Sequence, residues 1–153
     1  MTHCIQFSIQ SLFDDCVKQA SVDFSATRAS NPEGAADAVY EDFVLSEDRL
    51  SEFRMALRDE IAKFTLLLRD NIAAFSDEDD RLHWDITLGE NEVFGSLLDT
   101  LFKGYLKHRM LAWWFLNRSE LLYAYYAEKA QDDKSKINNF FGTALGGRKL
   151  RYF

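Results

Sequence analysis

Residues 91–116 read NEVFGSLLDTLFKGYLKHRMLAWWFL, and the other elements are arranged around this segment. Apolar residues recur in it at alternating steps of four and three, which predicts one face of a long helix. The members of that face are Phe94, Leu98, Leu101, Tyr105, His108, Ala112 and Phe115. The opposite side of the helix begins with charged and polar residues. In its last two turns Met110, Trp113 and Trp114 lie on that side instead. Because the last two turns are apolar nearly all round, we expect other elements to cover them.

The residues before this helix predict two more helices and two short strands. Alternating apolar residues indicate strands at 4–9 and 82–88. Helical spacing predicts a first helix over about 11–27 and a second from Ser46 to about Phe75. Because one strand is not stable alone, we expect strand 82–88 to pair with residues 4–9, with the C-terminal tail or with a neighbouring chain.

A last helix is predicted over about 120–144, with a polar patch at 131–136 that could kink or split it. Two glycines then end it and a basic tail follows at 146–153. The sequence therefore predicts a mainly α fold: a single domain over 1–153 with four helices. A small accessory β element at 4–9 and 82–88 completes it.

Charge is distributed unevenly along the chain. The net charge is −7, yet residues 134–153 carry +5 with no acidic residue, which leaves −12 on residues 1–133. An acidic body argues against a protein that coats nucleic acid, and no sequence-specific nucleic-acid partner is predicted. The basic tail is predicted to dock on an acidic surface, either its own or that of another copy.

The two cysteines and the absence of targeting signals bear on the compartment. Cys4 and Cys16 are too few for a disulfide framework and are interpreted as reduced, mostly buried thiols. The N-terminus has no secretory pattern, and no apolar run is long enough to cross a membrane. We therefore expect a soluble protein that is made in a cytoplasm and has no membrane partner.

The sequence contains no recognisable motif for catalysis or metal binding. There is no Glu-x-x-His pair for a di-iron site, and the acidic run 77–80 lacks the ligand spacing of a calcium loop. Residues 142–149 lack the ending of a phosphate loop, and His108 is interpreted as a core histidine bonded to a tyrosine or the backbone. The sequence predicts no catalytic residue, metal ligand or cofactor. A pocket gathering His108 with several carboxylates would favour an enzyme.

Aromatic residues flank the break between the last two helices. They are Trp113, Trp114 and Phe115 before it and Tyr123, Tyr125 and Tyr126 after it. Two interpretations remain open, a well-filled end of the core and a subunit interface. The predicted interface residues are Trp113, Trp114, Tyr125, Arg148, Lys149, Arg151, Tyr152 and Phe153.

The order of these features resembles small neck proteins of tailed bacteriophages, the head–tail connector or adaptor type, especially those of gut Bacteroidetes. The residues that carry the resemblance are Ser46-Glu47-Asp48, Trp113-Trp114, Asn117 to Glu120, Tyr125-Tyr126 and Arg148-Lys149-Leu150-Arg151. The resemblance implies a homo-oligomeric ring in the virion neck, between portal and tail-tube proteins, assembled in the bacterial cytoplasm and without an active site. An acidic surface that faces a DNA channel would repel phosphates.

A second function is compatible with the same composition. Small acidic helical domains also suit a cytoplasmic binding module, such as an immunity protein that neutralises a basic toxin.

Overall fold

The backbone elements follow one another in a β-α-α-β-β-α-α order. The computed structural model describes residues 2–30, 44–68, 71–87 and 95–144. In chain order the elements are β1 (Thr2–Ser8), α1 (Ile9–Ser30), a short 3-10 helix (Glu47–Arg49), α2 (Leu50–Leu67), β2 (Ile72–Glu78), β3 (Arg81–Thr87), α3 (Gly95–Phe115) and α4 (Glu120–Ala144). The predicted class, mainly α with four helices and a small β element, is confirmed.

The three strands form one antiparallel sheet in the order β1-β3-β2. In β1, Ile5 lies opposite Trp84 of β3, and Phe75 of β2 lies opposite the same tryptophan from the other side. Of the three partners considered for strand 82–88, the structure therefore shows the first strand. The boundaries move slightly, because Ile9 already belongs to α1 and Leu88 lies outside the described residues.

The predicted second helix is wrong in its last part. It was expected to reach Phe75, but α2 ends at Leu67 and Ile72–Glu78 is a strand. The backbone N–H of Asn71 donates to the carbonyl of Leu68 at 2.8 Å, and the Asn71 carbonyl accepts from the N–H of Thr87 at 2.7 Å. The first bond turns the chain at the end of α2, and the second joins the start of β2 to the end of β3. Phe75 then packs on Trp84, with 5.2 Å between ring centroids.

The central helix is α3, and its C-terminal end is enclosed as predicted. The residues of its last two turns that are buried are Met110, Leu111, Ala112, Trp114 and Phe115. Further back, Phe102 and Leu106 are buried although they lie off the predicted apolar stripe, while Leu101 of that stripe is only partly buried. The helix is covered from more than one side because α1, α2 and α4 all contact it.

The core between sheet and helices is built from aromatic rings around Trp84. Phe7 of β1 lies 5.4 Å from it, Phe64 of α2 lies 6.3 Å away and Phe102 of α3 lies 5.8 Å away, measured between ring centroids. Two helices, α2 and α3, thus meet the sheet at one residue of its central strand. Offset and edge-on aromatic pairs add to the free energy of burial.

The remaining helix predictions differ from the structure at their boundaries. Helix α1 begins at Ile9, two residues before the predicted start, and continues to Ser30. Helix α4 runs through residues 131–136 without interruption. Residues 31–43, 88–94 and the predicted tail 146–153 lie outside the described residues. None of the helices in the described part of the chain is both long and apolar enough to cross a membrane.

Asp80, in the turn between β2 and β3, joins the sheet to the start of α1. Its carboxylate accepts hydrogen bonds from the Ser8 hydroxyl, from the Gln10 backbone N–H at 3.1 Å and from the Arg54 guanidinium at 2.9 Å. Its carbonyl accepts from the Ile9 N–H at 2.8 Å. The first backbone donors of α1 are therefore satisfied by a residue about 70 positions away.

Replacing Asp80 by alanine is expected to lower the free energy of unfolding by about 1–2 kcal/mol at neutral pH, because it removes an N-terminal cap and several hydrogen bonds. The Ser8 hydrogen bond, then those from Gln10 and Arg54, hold the pKa of Asp80 below its usual range. A depressed folded pKa stabilises the protein above the unfolded pKa of about 3.9. That contribution is lost as the pH falls through the folded pKa.

Urea unfolding at neutral pH and at pH values below about 3 measures this prediction. The difference between wild type and Asp80→Ala should shrink at acidic pH. Asp59→Ala, at an exposed position of α2, is the matched control and should change stability by less than about 0.5 kcal/mol. An Asp80→Ala loss that does not depend on pH would contradict the role of the charged carboxylate.

Candidate interaction surface

A cleft lies where α1, α3 and α4 come together. Its volume is about 420 Å³. We call it the helix cleft and define it by its lining residues, which are Gln19, Asp23, Lys107, His108, Leu121, Leu122, Tyr125 and Tyr126. Tyr125, one of the predicted interface residues, thus lines this cleft.

The rim of the helix cleft on α4 is apolar and open to solvent. Leu121 is 81% exposed and Tyr125 is 50% exposed. Single exposed apolar side chains are ordinary, but two of them lining one cavity are typical of a surface that contacts another polypeptide.

The floor of the helix cleft carries two ordered polar pairs. His108 Nδ1 lies 2.6 Å from Asp133 Oδ2, and the Tyr126 hydroxyl donates to the carboxylate of Asp23. The rings of His108 and Tyr126 stack with 5.9 Å between centroids. Desolvation, and then the hydrogen bond and charge of Asp23, raise the pKa of Tyr126 above its usual value.

The interpretation of His108 as a core histidine needs correction. Its polar partner is a carboxylate on the next helix instead of a tyrosine or a backbone group, and the side chain is only partly buried. A histidine held by a carboxylate on one ring nitrogen can use the other for hydrogen bonding or proton transfer. Since Asp23 lies in the same cleft, the arrangement fits a polar or cationic group flanked by apolar contacts.

The structure separates the two predicted interface tryptophans from the helix cleft. Trp113 is half-buried and packs edge-on against Phe53 of α2, with 6.2 Å between centroids. Trp114 is 1% exposed, and the Arg118 guanidinium lies 3.5 Å from its ring centroid. This burial corrects the prediction for Trp114, which has no ring surface left for a partner. Its neighbourhood matches the other interpretation, a well-filled end of the core.

The remaining predicted interface residues cannot be placed. Arg148, Lys149, Arg151, Tyr152 and Phe153 lie outside the described residues.

The two thiols differ in environment, and the expectation that both are mostly buried is wrong for Cys4. Cys16 is buried in α1, and desolvation raises its pKa to about 12. Cys4 is exposed on the outer face of the sheet, where its Sγ lies 3.5 Å from His83 Nδ1. Desolvation, followed by the charges of Asp85 and Asp99, raises the pKa of Cys4.

Sequence reasoning did not find the cluster of Cys4, His83 and Asp85, although the pairing of their two segments was one of the three alternatives it left open. The missing information was the register, in which Cys4 lies opposite Asp85. Alternation with a period of two indicates which residues lie on one face of a single strand. Which residues of a second strand lie beside them depends on the register.

Comparison of the chain with models of protein families, with curated proteins and with solved structures finds no match.

Proposed function

We propose that this protein is a structural assembly subunit of a tailed-bacteriophage neck: a head–tail connector, adaptor or tail-completion protein that forms a ring of identical copies around the DNA channel. Its neighbours in the virion would be portal or tail-tube proteins. The observation that carries the proposal is the open apolar rim of the helix cleft, where Leu121 is 81% exposed. A subunit contact would remove that surface from water.

The basic tail supplies a matching occupant for the cleft. Residues 148–153 read RKLRYF, which combines three positive charges with two aromatic rings. The cleft offers the Asp23 carboxylate beside the exposed faces of Leu121 and Tyr125. In the proposed ring the tail of one copy enters the cleft of the next, so that aromatic side chains bury apolar area and charges of opposite sign approach each other.

Disruption of the cleft tests the assembly. Leu121→Glu, or removal of residues 146–153, is expected to raise the apparent dissociation constant of self-association more than tenfold, the size of effect typical of interface anchors. Sedimentation equilibrium and native mass spectrometry measure the change. A synthetic peptide of residues 146–153 should also bind wild type and fail to bind Leu121→Glu.

Leu66→Glu is the matched control, because Leu66 is also an exposed helical leucine, 67% exposed on α2. It should leave self-association unchanged. A wild-type protein that stays monomeric at all concentrations and never joins tailed particles would contradict the proposal. Localisation in the neck is checked separately by antibody labelling of particles viewed by electron microscopy.

The acidic body favours one alternative function. Residues 1–133 carry −12, which suits an immunity protein that covers a basic toxin. That function predicts a one-to-one complex with a basic protein, weakened strongly by salt, and no self-association.

A further inference from the structure

The outer face of the sheet gathers a thiol, an imidazole and a carboxylate from two neighbouring strands. Cys4 of β1 lies opposite Asp85 of β3, and His83 is two residues from Asp85 on the same face of β3. His83 Nε2 lies 2.9 Å from Asp85 Oδ1 and 3.7 Å from Cys4 Sγ. One ligand atom from each of the three residues lies within 4.8 Å of the other two.

We propose that Cys4, His83 and Asp85 bind one divalent zinc-type cation, a site independent of the proposed assembly function. Sulfur, nitrogen and oxygen ligands together are the set that Zn²⁺ accepts, at about 2.3 Å for thiolate and about 2.0–2.2 Å for imidazole and carboxylate. In a tetrahedral site such bonds separate the ligand atoms by about 3.3–3.6 Å. His83 Nε2 lies 2.9 Å from Asp85 Oδ1, just below that range, and 3.7 Å from Cys4 Sγ, just above it.

The ion takes the position now occupied by the proton between His83 Nε2 and Asp85 Oδ1. Binding requires the histidine to carry its proton on Nδ1 and the Cys4 thiol to release one proton to solvent. His83 and Asp85 are both partly exposed and Cys4 is exposed, so their side chains are able to move closer together around an ion. Water completes the fourth position, because the site faces solvent.

An ion in this position ties the first strand of the chain to the central strand of the sheet. β1 lies at an edge of the sheet, where β3 is its neighbouring strand. A ligand that binds only the folded chain stabilises it in proportion to the logarithm of its concentration over the dissociation constant. At 100-fold excess over that constant, a melting temperature higher by roughly 5–10 °C is expected for a domain of this size.

Titration of the reduced, full-length protein with Zn²⁺ and with Co²⁺ tests the proposal. We expect one equivalent of Zn²⁺ to bind in competition with a chromophoric chelator. Co²⁺ should give a thiolate-to-metal charge-transfer band in the near ultraviolet. Cys4→Ser is expected to abolish that band and to weaken Zn²⁺ binding at least 100-fold, and His83→Gln to weaken binding by a similar factor. Asp85→Asn should weaken it roughly 10–100-fold.

Two variants serve as matched controls. His3→Gln removes a histidine next to Cys4 whose side chain bonds Asp99 of α3 at 3.0 Å, so it faces the helices. Cys16→Ala removes the other thiol, which is buried in α1. Both should keep the affinity for Zn²⁺ and the cobalt band.

Either of two results would overturn the site. The first is wild-type protein that binds Zn²⁺ no more tightly than the Cys4→Ser/His83→Gln double variant. The second is a cobalt band that persists in Cys4→Ser and disappears in Cys16→Ala. Circular dichroism of each variant establishes that it is folded, and since the three side chains lie on an open face, replacement is not expected to unfold the protein.

Discussion

Trp84→Ala is expected to lower the free energy of unfolding by about 3–5 kcal/mol, the usual cost of removing a buried tryptophan. The side chain is fully buried in the central strand, and rings from β1, β2, α2 and α3 surround it. Its removal therefore leaves a cavity at the point where the sheet meets the helices. The melting temperature should fall by roughly 10 °C or more.

The Trp84→Phe variant separates ring packing from the polar N–H. Among the described residues, Trp84 Nε1 is buried with no hydrogen-bond partner. Phenylalanine keeps one aromatic ring and removes an unsatisfied donor, so we expect a loss of less than about 1.5 kcal/mol. Chemical denaturation with tryptophan fluorescence and circular dichroism measures both variants.

Trp113→Ala is the control for a tryptophan at the margin of the core. Trp113 is only partly buried, so its replacement should cost clearly less than that of Trp84. A larger loss for Trp113→Ala than for Trp84→Ala would contradict the packing described around β3.

Arg109→Leu is expected to lower the free energy of unfolding by about 3 kcal/mol, because it leaves a buried carboxylate without its main partner. Arg109 of α3 holds Glu60 of α2 through two hydrogen bonds, Nε to Oε2 at 3.2 Å and Nη2 to Oε1 at 3.0 Å. Glu60 is 9% exposed. Lys63 Nζ lies 3.9 Å from the same carboxylate but is mostly exposed, so it replaces little of the interaction.

The reverse substitution should be less costly. Glu60→Leu leaves the Arg109 guanidinium, whose side chain is 34% exposed and can still be solvated. We expect a loss of about 1 kcal/mol for Glu60→Leu, and near-wild-type stability for the double variant, in which both charges give way to apolar groups. A double-mutant cycle by urea unfolding measures the coupling. Additive losses would show that the pair contributes no specific interaction.

Local sequence patterns were sufficient where the neighbours of an element did not matter. The final turns of α3 carry apolar residues on nearly every side of the helix. Their burial by other elements could therefore be predicted from the sequence of α3 alone. Strand β3 alternates cleanly, and apolar residues at helical spacing after Glu120 predicted α4. In each case one hydrophobic periodicity dominates the segment. A strand in place of the helix, or a helix in place of the strand, would expose apolar residues that the observed element buries.

The pattern failed where two periods fit equally well. Leu68, Ile72 and Phe75 are spaced for a helix, yet Ile72 and Phe75 belong to a strand. Their place was set by β3, which offers hydrogen bonds along its free edge and Trp84 as a packing partner. Long-range burial outweighs the small differences in intrinsic helix propensity.

The candidate sites show the same division. The sequence predicted Tyr125 as an interface residue, but the helix cleft depends on the packing of α1, α3 and α4. It is lined by residues about 100 positions apart, such as Asp23 and Tyr126. The cluster of Cys4, His83 and Asp85 likewise depends on the register that puts Cys4 opposite Asp85.

Hydrophobic periodicity thus specified the helices α1, α3 and α4 and the strands β1 and β3, because each buries one recognisable set of side chains along its own length. The packing of those elements on one another decided three further features. They are strand β2, the burial of Trp114 and the gathering of distant polar groups. Such contacts depend on strand register and on the angles at which helices cross. Neither can be recognised from the sequence of any one segment.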